Sequence, residues 1–261
     1  MTDFRIIEEK PRIILMVNDI VGLEVTRFLI ERKEHIVALF LHNKEDQKHV
    51  EDILGLVNWV ISSDDLYLAS TLKSNDIVQI LTSYEPDVII TCYWAHLLTQ
   101  DVIDIPKYGC INFHPGLLPH NRGWYPAVWP FIDGSKAGVT IHKIDEGADT
   151  GPIIAQAGTE IGELDTLGSV YKQHQDLMIS LFKETWPKLR DGIDLKYQNH
   201  SKATYHSKKD GNALNEIDLD KTYKAKDFMN LIKARMFGDK SFAYYKKDGD
   251  TYRVKLIITK E

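Results

Sequence analysis

The first part of the chain alternates short apolar runs with amphipathic segments. Runs of strand length occupy Arg12–Val17, Ile36–Leu41 and Val88–Cys92. Between the first two, apolar residues recur at helical spacing, at Val21, Val25, Phe28 and Leu29. Strands that alternate with helices predict an α/β, Rossmann-like fold, with a mostly parallel sheet and helices on both faces. Such sheets bind ligands at the carboxyl ends of their strands.

The C-terminal part has a different pattern. A long helical segment spans Thr166–Arg190, and the polar stretch Lys196–Lys209 is typical of a connection. A short amphipathic segment follows, and then the runs Phe242–Tyr245 and Tyr252–Ile258 flank an Asp-Gly turn, which predicts a β-hairpin. We therefore expect a main domain over residues 1–195 and a C-terminal helix and β-hairpin region over residues 196–261. The charged segment Met1–Lys10 predicts a flexible arm.

Composition and charge narrow the class of protein. The chain has 261 residues and a formal net charge of −6, which argues against broad electrostatic binding to nucleic acid. No apolar run has the length of a membrane span, and the N-terminus has no apolar signal segment, so we expect a cytoplasmic protein with no membrane partner. Cys92 and Cys110 lie in apolar runs without a C-x-x-C pattern, which predicts core thiols and no metal site.

Three polar residues near strand ends are the candidates for chemistry. Asn112 and His114 lie two residues apart in and after the apolar run Gly109–Phe113, which stops at a proline. Side chains two apart on a strand project from the same face. A second predicted strand, Gly138–Ile144, leads into the turn that carries Asp149. The two strand ends could therefore bring an amide, an imidazole and a carboxylate together.

These three residue types suit acyl transfer to an amine. An asparagine amide can donate a hydrogen bond to an oxygen that gains negative charge, and a neutral histidine can accept the proton of the attacking amine. A carboxylate can orient that histidine. A histidine at a strand end is nevertheless more often structural, and Asp-Thr-Gly after a strand is as often a simple turn. Local pattern alone leaves both interpretations open.

The ordered motifs around these residues resemble one family. The chain reads Asn112-x-His114-Pro-Gly-Leu-Leu-Pro, then Arg122-Gly, then G-V-T-I-H-x-I-D-E-G-x-D-T-G ending at Gly151. This string is similar to the formyltransferase family, which transfers a formyl group from 10-formyltetrahydrofolate to an amine. The resemblance is strong from about Tyr84 to Gln156. It implies that the catalytic residues are Asn112, His114 and Asp149, and that 10-formyltetrahydrofolate is the donor.

The same resemblance implies where the folate would bind. The loop after Val88–Cys92 lines the pterin site in the family. By position, Ala95 and Leu97 would supply backbone contacts and Trp94 would form a wall. The other side would be closed by a turn made of Asp145, Glu146 and Gly147. An ordinary core aromatic is the alternative interpretation of Trp94.

The acceptor is suggested by the loop after the Asn-x-His motif. The string HPGLLPHNRGWYPAVWP resembles the nucleotide-sugar N-formyltransferases more than the other branches of the family. Arg122 could pair with a phosphate, and Trp124 or Tyr125 could pack against a sugar or base. A loop held by aromatic packing explains the same residues equally well. The resemblance implies a dTDP-4-amino-4,6-dideoxyhexose acceptor, such as dTDP-4-amino-4,6-dideoxyglucose, for lipopolysaccharide O-antigen or another surface polysaccharide, and a homodimer formed through the C-terminal region.

Other functions stay open at this stage. A 10-formyltetrahydrofolate deformylase would use the same three residues with water in place of the amine. A methionyl-tRNA formyltransferase usually has a larger basic C-terminal domain, which disagrees with the acidic balance of this chain. The purine-synthesis branch carries a phosphate loop that Val17–Gly22 does not match. A binding protein for folate or nucleotide sugars without chemistry is the non-enzyme alternative.

Overall fold

Seven strands form one sheet in the computed structural model, which describes residues 3–261 of the chain. Their order across the sheet is β4-β3-β2-β5-β6-β8-β9. The strands are β1 (Asp3–Phe4), β2 (Arg12–Val17), β3 (His35–Leu41), β4 (Leu66–Leu68), β5 (Val88–Cys92), β6 (Cys110–His114), β7 (Arg122–Gly123), β8 (Ala137–Lys143), β9 (Ile153–Thr159), β10 (Ile193–Asp194), β11 (Tyr205–His206), β12 (Met236–Phe237), β13 (Lys240–Ser241), β14 (Tyr244–Lys247) and β15 (Asp250–Arg253).

Helices form at the predicted amphipathic segments and also at several positions for which no helix was predicted. They are α1 (Asp19–Glu31), α2 (Val50–Val57), α3 (Ile77–Ser83), α4 (Gln100–Ile103), α5 (Trp129–Asp133), α6 (Leu167–Lys188), α7 (Lys208–Ala213) and α8 (Ala225–Lys233). Within residues 3–261, no helix is both long and apolar enough to cross a membrane.

The central sheet is mostly parallel, and its inner strands are buried, as is usual for parallel sheets covered by helices. Strands β2 to β6 pair in parallel, and residues 13–17 of β2 are fully buried. Strand β8 is antiparallel to β6. The predicted α/β, Rossmann-like sheet is confirmed. The predicted run Gly109–Phe113 is shifted by one residue, because Gly109 has a left-handed φ of 77° and belongs to the preceding turn. The strand therefore runs from Cys110 to His114 and includes both polar candidates.

The chain divides into two compact units. Among the described residues, the first unit comprises 3–114, 140–156 and 175–198, and the second comprises 115–139, 157–174 and 199–261. Two internal segments thus group with the C-terminal region. The predicted domain boundary after residue 195 stays a prediction.

In the first unit, the N-terminal segment is packed. Strand β1 pairs antiparallel with β10, and the side chains of Phe4 and Ile6 are buried. The Arg5 side chain donates to the carbonyl of Arg190 at 2.7 Å. The prediction of a flexible arm is therefore wrong from Asp3 onward, because two apolar residues within the charged segment enter the core. Met1 and Thr2 lie outside the described residues.

In the second unit, the predicted hairpin is confirmed with shifted strands. It consists of β14 and β15, joined at Asp248-Gly249, and the second strand ends at Arg253 rather than Ile258. The prediction that Lys196–Lys209 is only a connection is wrong. Strand β11 lies within it and pairs in parallel with β7, with Tyr205 opposite Arg122.

Two helical glycines give a matched test of packing in the first unit. A Cβ on Gly22 of α1 would lie 2.8 Å from the Val17 Cβ, whereas a Cβ on Gly55 of α2 would meet nothing within 4 Å. We expect Gly22→Ala to lower the free energy of unfolding by about 1–3 kcal/mol through overpacking. Gly55→Ala should raise it by roughly 0.5–1 kcal/mol through helix propensity. Urea denaturation measures both, and a change of the same sign in the two variants would contradict this account.

Candidate active site

The first unit brings the three predicted polar residues together at the carboxyl end of β6. Asn112 Nδ2 lies 3.3 Å from Asp149 Oδ1, and His114 Nδ1 lies 3.4 Å from Asp149 Oδ2. The His114 side chain is 4% exposed and that of Asp149 is 16% exposed. One carboxylate therefore contacts both the amide and the imidazole in a nearly closed environment.

The turn that contains Asp149 is fixed by hydrogen bonds to its backbone carbonyls and by close backbone packing. Asp149 adopts a left-handed φ of 55°. Gln198 is buried, and its Nε2 donates to the carbonyls of Asp149 at 2.9 Å and Gly151 at 2.7 Å. A Cβ on Gly151 would lie 1.9 Å from the carbonyl oxygen of Lys143, so this close approach requires glycine. These contacts fix where the carboxylate projects.

Two further polar residues surround Asn112. Thr91 Oγ1 donates to Asn112 Oδ1 at 2.8 Å, because β5 and β6 place residues 91 and 112 side by side. On the other side, β8 places His142 opposite Asn112, with His142 Nε2 3.1 Å from Asn112 Nδ2 and 3.4 Å from Asp149 Oδ1. Both Thr91 and His142 are buried.

Sequence reasoning missed Thr91, His142 and Gln198. His142 stands in the G-V-T-I-H motif and could have been found there. Thr91 is a polar residue inside an apolar run, which is a weak signal. Gln198 is one polar residue in a polar stretch, so nothing in the sequence distinguishes it.

The loop after β5 contains the predicted folate contacts of the first unit. Trp94 packs edge-on against His42 and His96, with ring centroids 4.7 and 5.3 Å away. Ala95 and Leu97 are exposed, Leu97 to 86%. Trp94 Nε1 and His42 Nε2 are buried and have no hydrogen-bond partner among residues 3–261. Burial and the neighbouring His96 lower the pKa of His42 to about 4, so this ring is neutral near pH 7.

The predicted closing turn follows β8. Asp145, Glu146 and Gly147 are exposed, and Asp145 Oδ1 accepts from the Gly147 N–H at 3.3 Å. Ile144, just before this turn, packs on the same apolar cluster of the first unit as Trp94. Both predicted folate segments are therefore anchored on one core and expose their loops.

The three predicted acceptor residues lie in the second unit and have different environments. The Arg122 side chain is buried, with a guanidinium nitrogen 3.3 Å from His200 Nδ1. Tyr125 packs so closely on α7 that a Cβ on Gly211 would lie 2.3 Å from its ring. Trp124 is 38% exposed, and Lys208 Nζ lies 4.9 Å from its ring centroid. Of these three, Trp124 presents most side-chain surface to a ligand.

Across the described ranges of the chain, no group of three or more His, Cys, Asp or Glu side chains could hold a metal ion. Cys92 and Cys110 are free and buried, and burial raises the pKa of the Cys110 thiol to about 12. Both cysteines are core residues, as predicted.

Two family models match this chain. The model described as "Formyl transferase" matches residues 27–185, a span that contains all three residues of the amide–imidazole–carboxylate group. The chain belongs to the formyl transferase family. A second model, described as "N-formyltransferase dimerization C-terminal domain", matches residues 210–260. The predicted family and the predicted enzyme class are thereby confirmed.

Curated relatives come from two branches of this family. A dTDP-4-amino-4,6-dideoxyglucose formyltransferase of Mycobacterium tuberculosis is 39% identical over 159 residues, which is 61% of this chain and 67% of that protein. A methionyl-tRNA formyltransferase of Kosmotoga olearia is 32% identical over 214 residues, which is 79% of this chain and 69% of that protein.

Solved structures of sugar-modifying members share the fold. A 4-N formyltransferase from Francisella tularensis has a TM-score of 0.82 and 25% identity, and the match covers 96% of this chain and 99% of the other. The formyltransferase PseJ from Anoxybacillus kamchatkensis has a TM-score of 0.55 and 28% identity, covering 77% of this chain and 88% of the other. It was solved with UDP-4,6-dideoxy-4-formamido-L-AltNAc and tetrahydrofolate.

Proposed function

We propose that this protein is a sugar N-formyltransferase, which moves the formyl group of 10-formyltetrahydrofolate to the amino group of a nucleotide-linked amino sugar. The observation that carries the proposal is the group Asn112, His114 and Asp149 in a chain of the formyl transferase family. The C-terminal match to an N-formyltransferase domain supports the sugar-modifying branch. We propose dTDP-4-amino-4,6-dideoxyglucose as the first acceptor to test, because a 39% identical relative is named for that substrate.

In this proposal, His114 accepts the proton of the attacking amine. Its Nδ1 faces Asp149, which can accept that ring hydrogen and leave Nε2 as the base. Asn112 donates to the formyl oxygen as negative charge builds there. Asp149 also stabilises the imidazolium that forms. The bound folate supplies the formyl group, and the proton removed from the amine ends on its leaving nitrogen. The products are tetrahydrofolate and a formamido sugar, without a covalent enzyme intermediate.

We propose that the folate lies between the loop with Trp94, Ala95 and Leu97 and the turn Asp145–Gly147. A pterin is planar, with hydrogen-bonding groups along its edge. The exposed 95–97 backbone can pair with such an edge, and the Trp94 ring can cover its face. The buried Trp94 Nε1 is a donor that a ligand acceptor would satisfy. These residues therefore fit the donor that the family uses.

Two enzyme alternatives make different products. A deformylase would release formate from the donor without any amine. A methionyl-tRNA formyltransferase is favoured by the Kosmotoga relative, but the net charge of −6 does not suit a polyanionic substrate. A binding protein would retain folate affinity and give no product.

We further propose that the enzyme works in the cytoplasm and that its product enters a surface polysaccharide such as O-antigen, since a nucleotide-linked sugar is activated for glycosyl transfer.

The function is tested with His114→Asn and a panel of dTDP- and UDP-amino sugars. Turnover should fall by at least ~10²-fold, because asparagine cannot accept the amine proton, while folate binding should persist. Mass spectrometry of the formamido product measures turnover, and calorimetry measures folate binding. His35→Asn is the matched control, since His35 is exposed at the amino end of β3. Near-normal turnover in His114→Asn would contradict the assignment of His114 as the catalytic base.

The acceptor side is tested at Trp124 and Lys208. We propose that the exposed face of Trp124 packs against the base or sugar and that Lys208 pairs with the diphosphate. Trp124→Ala and Lys208→Gln should each raise KM for the nucleotide sugar by about tenfold and leave KM for the folate unchanged. Trp59→Ala is the matched control, because Trp59 is also exposed on the surface. Equal effects on both substrates would contradict this assignment.

We also propose a homodimer that forms through residues 196–261. Exposed apolar side chains are concentrated there, and they include Phe237, Phe242, Tyr252, Ile257 and Ile258. Light scattering should give twice the chain mass at micromolar concentration. Tyr252→Glu should shift the protein toward monomer by placing a charge on this apolar surface, whereas Lys247→Glu on the same hairpin should have a smaller effect. A wild-type monomer at that concentration would refute the dimer.

A further inference from the structure

The side-chain amide of Asn112 contacts polar side chains from the two neighbouring strands, β5 and β8. Its oxygen accepts from Thr91 Oγ1 at 2.8 Å, and its nitrogen lies 3.1 Å from His142 Nε2. We propose that Thr91 and His142 are positioning residues that hold this amide in one of its two orientations, with the NH₂ group toward Asp149. This inference rests on the proposed function, in which that NH₂ group donates to the formyl oxygen.

The position of the Asn112 amide oxygen is determined by Thr91, whose hydroxyl group has a single hydrogen to donate. Thr91 is fully enclosed in the central strand β5, so water does not compete for its hydroxyl. The alternative acceptor for this hydrogen is the Ile111 carbonyl at 3.3 Å, which is a longer contact than the 2.8 Å to Asn112. The shorter bond places the amide oxygen on the Thr91 side.

The nitrogen side is set by the tautomer of His142. Its Nδ1 lies 2.8 Å from the Lys143 carbonyl, which can only accept, so Nδ1 carries a hydrogen. In the neutral ring, Nε2 is then a bare acceptor for one hydrogen of Asn112 Nδ2. The second hydrogen of that amide points to Asp149 Oδ1 at 3.3 Å. Both hydrogens therefore have acceptors in this orientation.

A flipped amide would lose these bonds. The Asn112 oxygen would then face the lone pair of His142 Nε2 and the negative Asp149 carboxylate, and both contacts are repulsive. The amide hydrogen directed at Asp149 is the one that can bond to a formyl oxygen instead. The other amide hydrogen stays bonded to His142 Nε2 and keeps the amide in place. Preorganised donors of this kind stabilise developing charge without reorganisation during the reaction.

Thr91→Val tests whether Thr91 positions the amide, because valine keeps the branched shape and removes the hydroxyl. We expect kcat to fall about tenfold, the loss typical of one hydrogen bond, with KM for both substrates within about twofold. Thr91→Ser keeps the donor and should retain most of the wild-type kcat. In an Asn112→Ala background, Thr91→Val should have no further effect. The same tenfold loss with and without Asn112 would overturn the proposal, as would unchanged kcat in Thr91→Val.

A second measurement needs no turnover. Nitrogen-15 spectra of the His142 ring in the ligand-free protein should show a protonated Nδ1 and a bare Nε2. The Nε2–H tautomer would overturn the proposal even if the kinetics agreed. If the wild type formylates no amino sugar on the panel, the proposed function fails, and the spectra still decide whether the amide is held as described.

Discussion

The antiparallel pairing of β6 with β8 is the constraint on which the candidate site depends. Its register sets Asn112 opposite His142 and His114 opposite Thr140. The following turn then returns Asp149 to both β6 side chains. A slip of one residue would turn the β6 side chains to the other face of the sheet and separate amide, imidazole and carboxylate. The parallel strand β5 adds Thr91 from the other side.

A buried polar cluster of this kind is stable only if its members satisfy one another. Here one carboxylate contacts the Asn112 amide and the His114 imidazole, and the amide is bonded at both its oxygen and its nitrogen. The backbone of the carboxylate turn is held by Gln198. The geometry of the candidate site is thus supported by neighbouring residues outside the amide–imidazole–carboxylate group, as in a preorganised site.

The fold and the clustering of Asn112, His114 and Asp149 could be predicted because their signals are local. The apolar runs at Arg12–Val17 and Val88–Cys92 have the same bounds as strands β2 and β5. The spacing of Asn112 and His114 is enough to place them on one strand face. The supporting residues are different, since Thr91 and Gln198 gain their roles from partners 21 and 49 positions away. Hydrogen-bond partners at such sequence separations cannot be predicted from the periodicity of the sequence.

The sequence by itself determined the fold class, the family and the positions of the amide, imidazole and carboxylate, because these follow from short-range patterns and ordered motifs. Only the tertiary structure decided that Arg122 and Tyr125 are packed against their neighbours while Trp124 is open, and that the stretch after Lys196 supplies a strand rather than a simple connection. The physical reason is that burial and hydrogen-bond partners are set by which strands lie side by side, and several of those strands are distant in the chain.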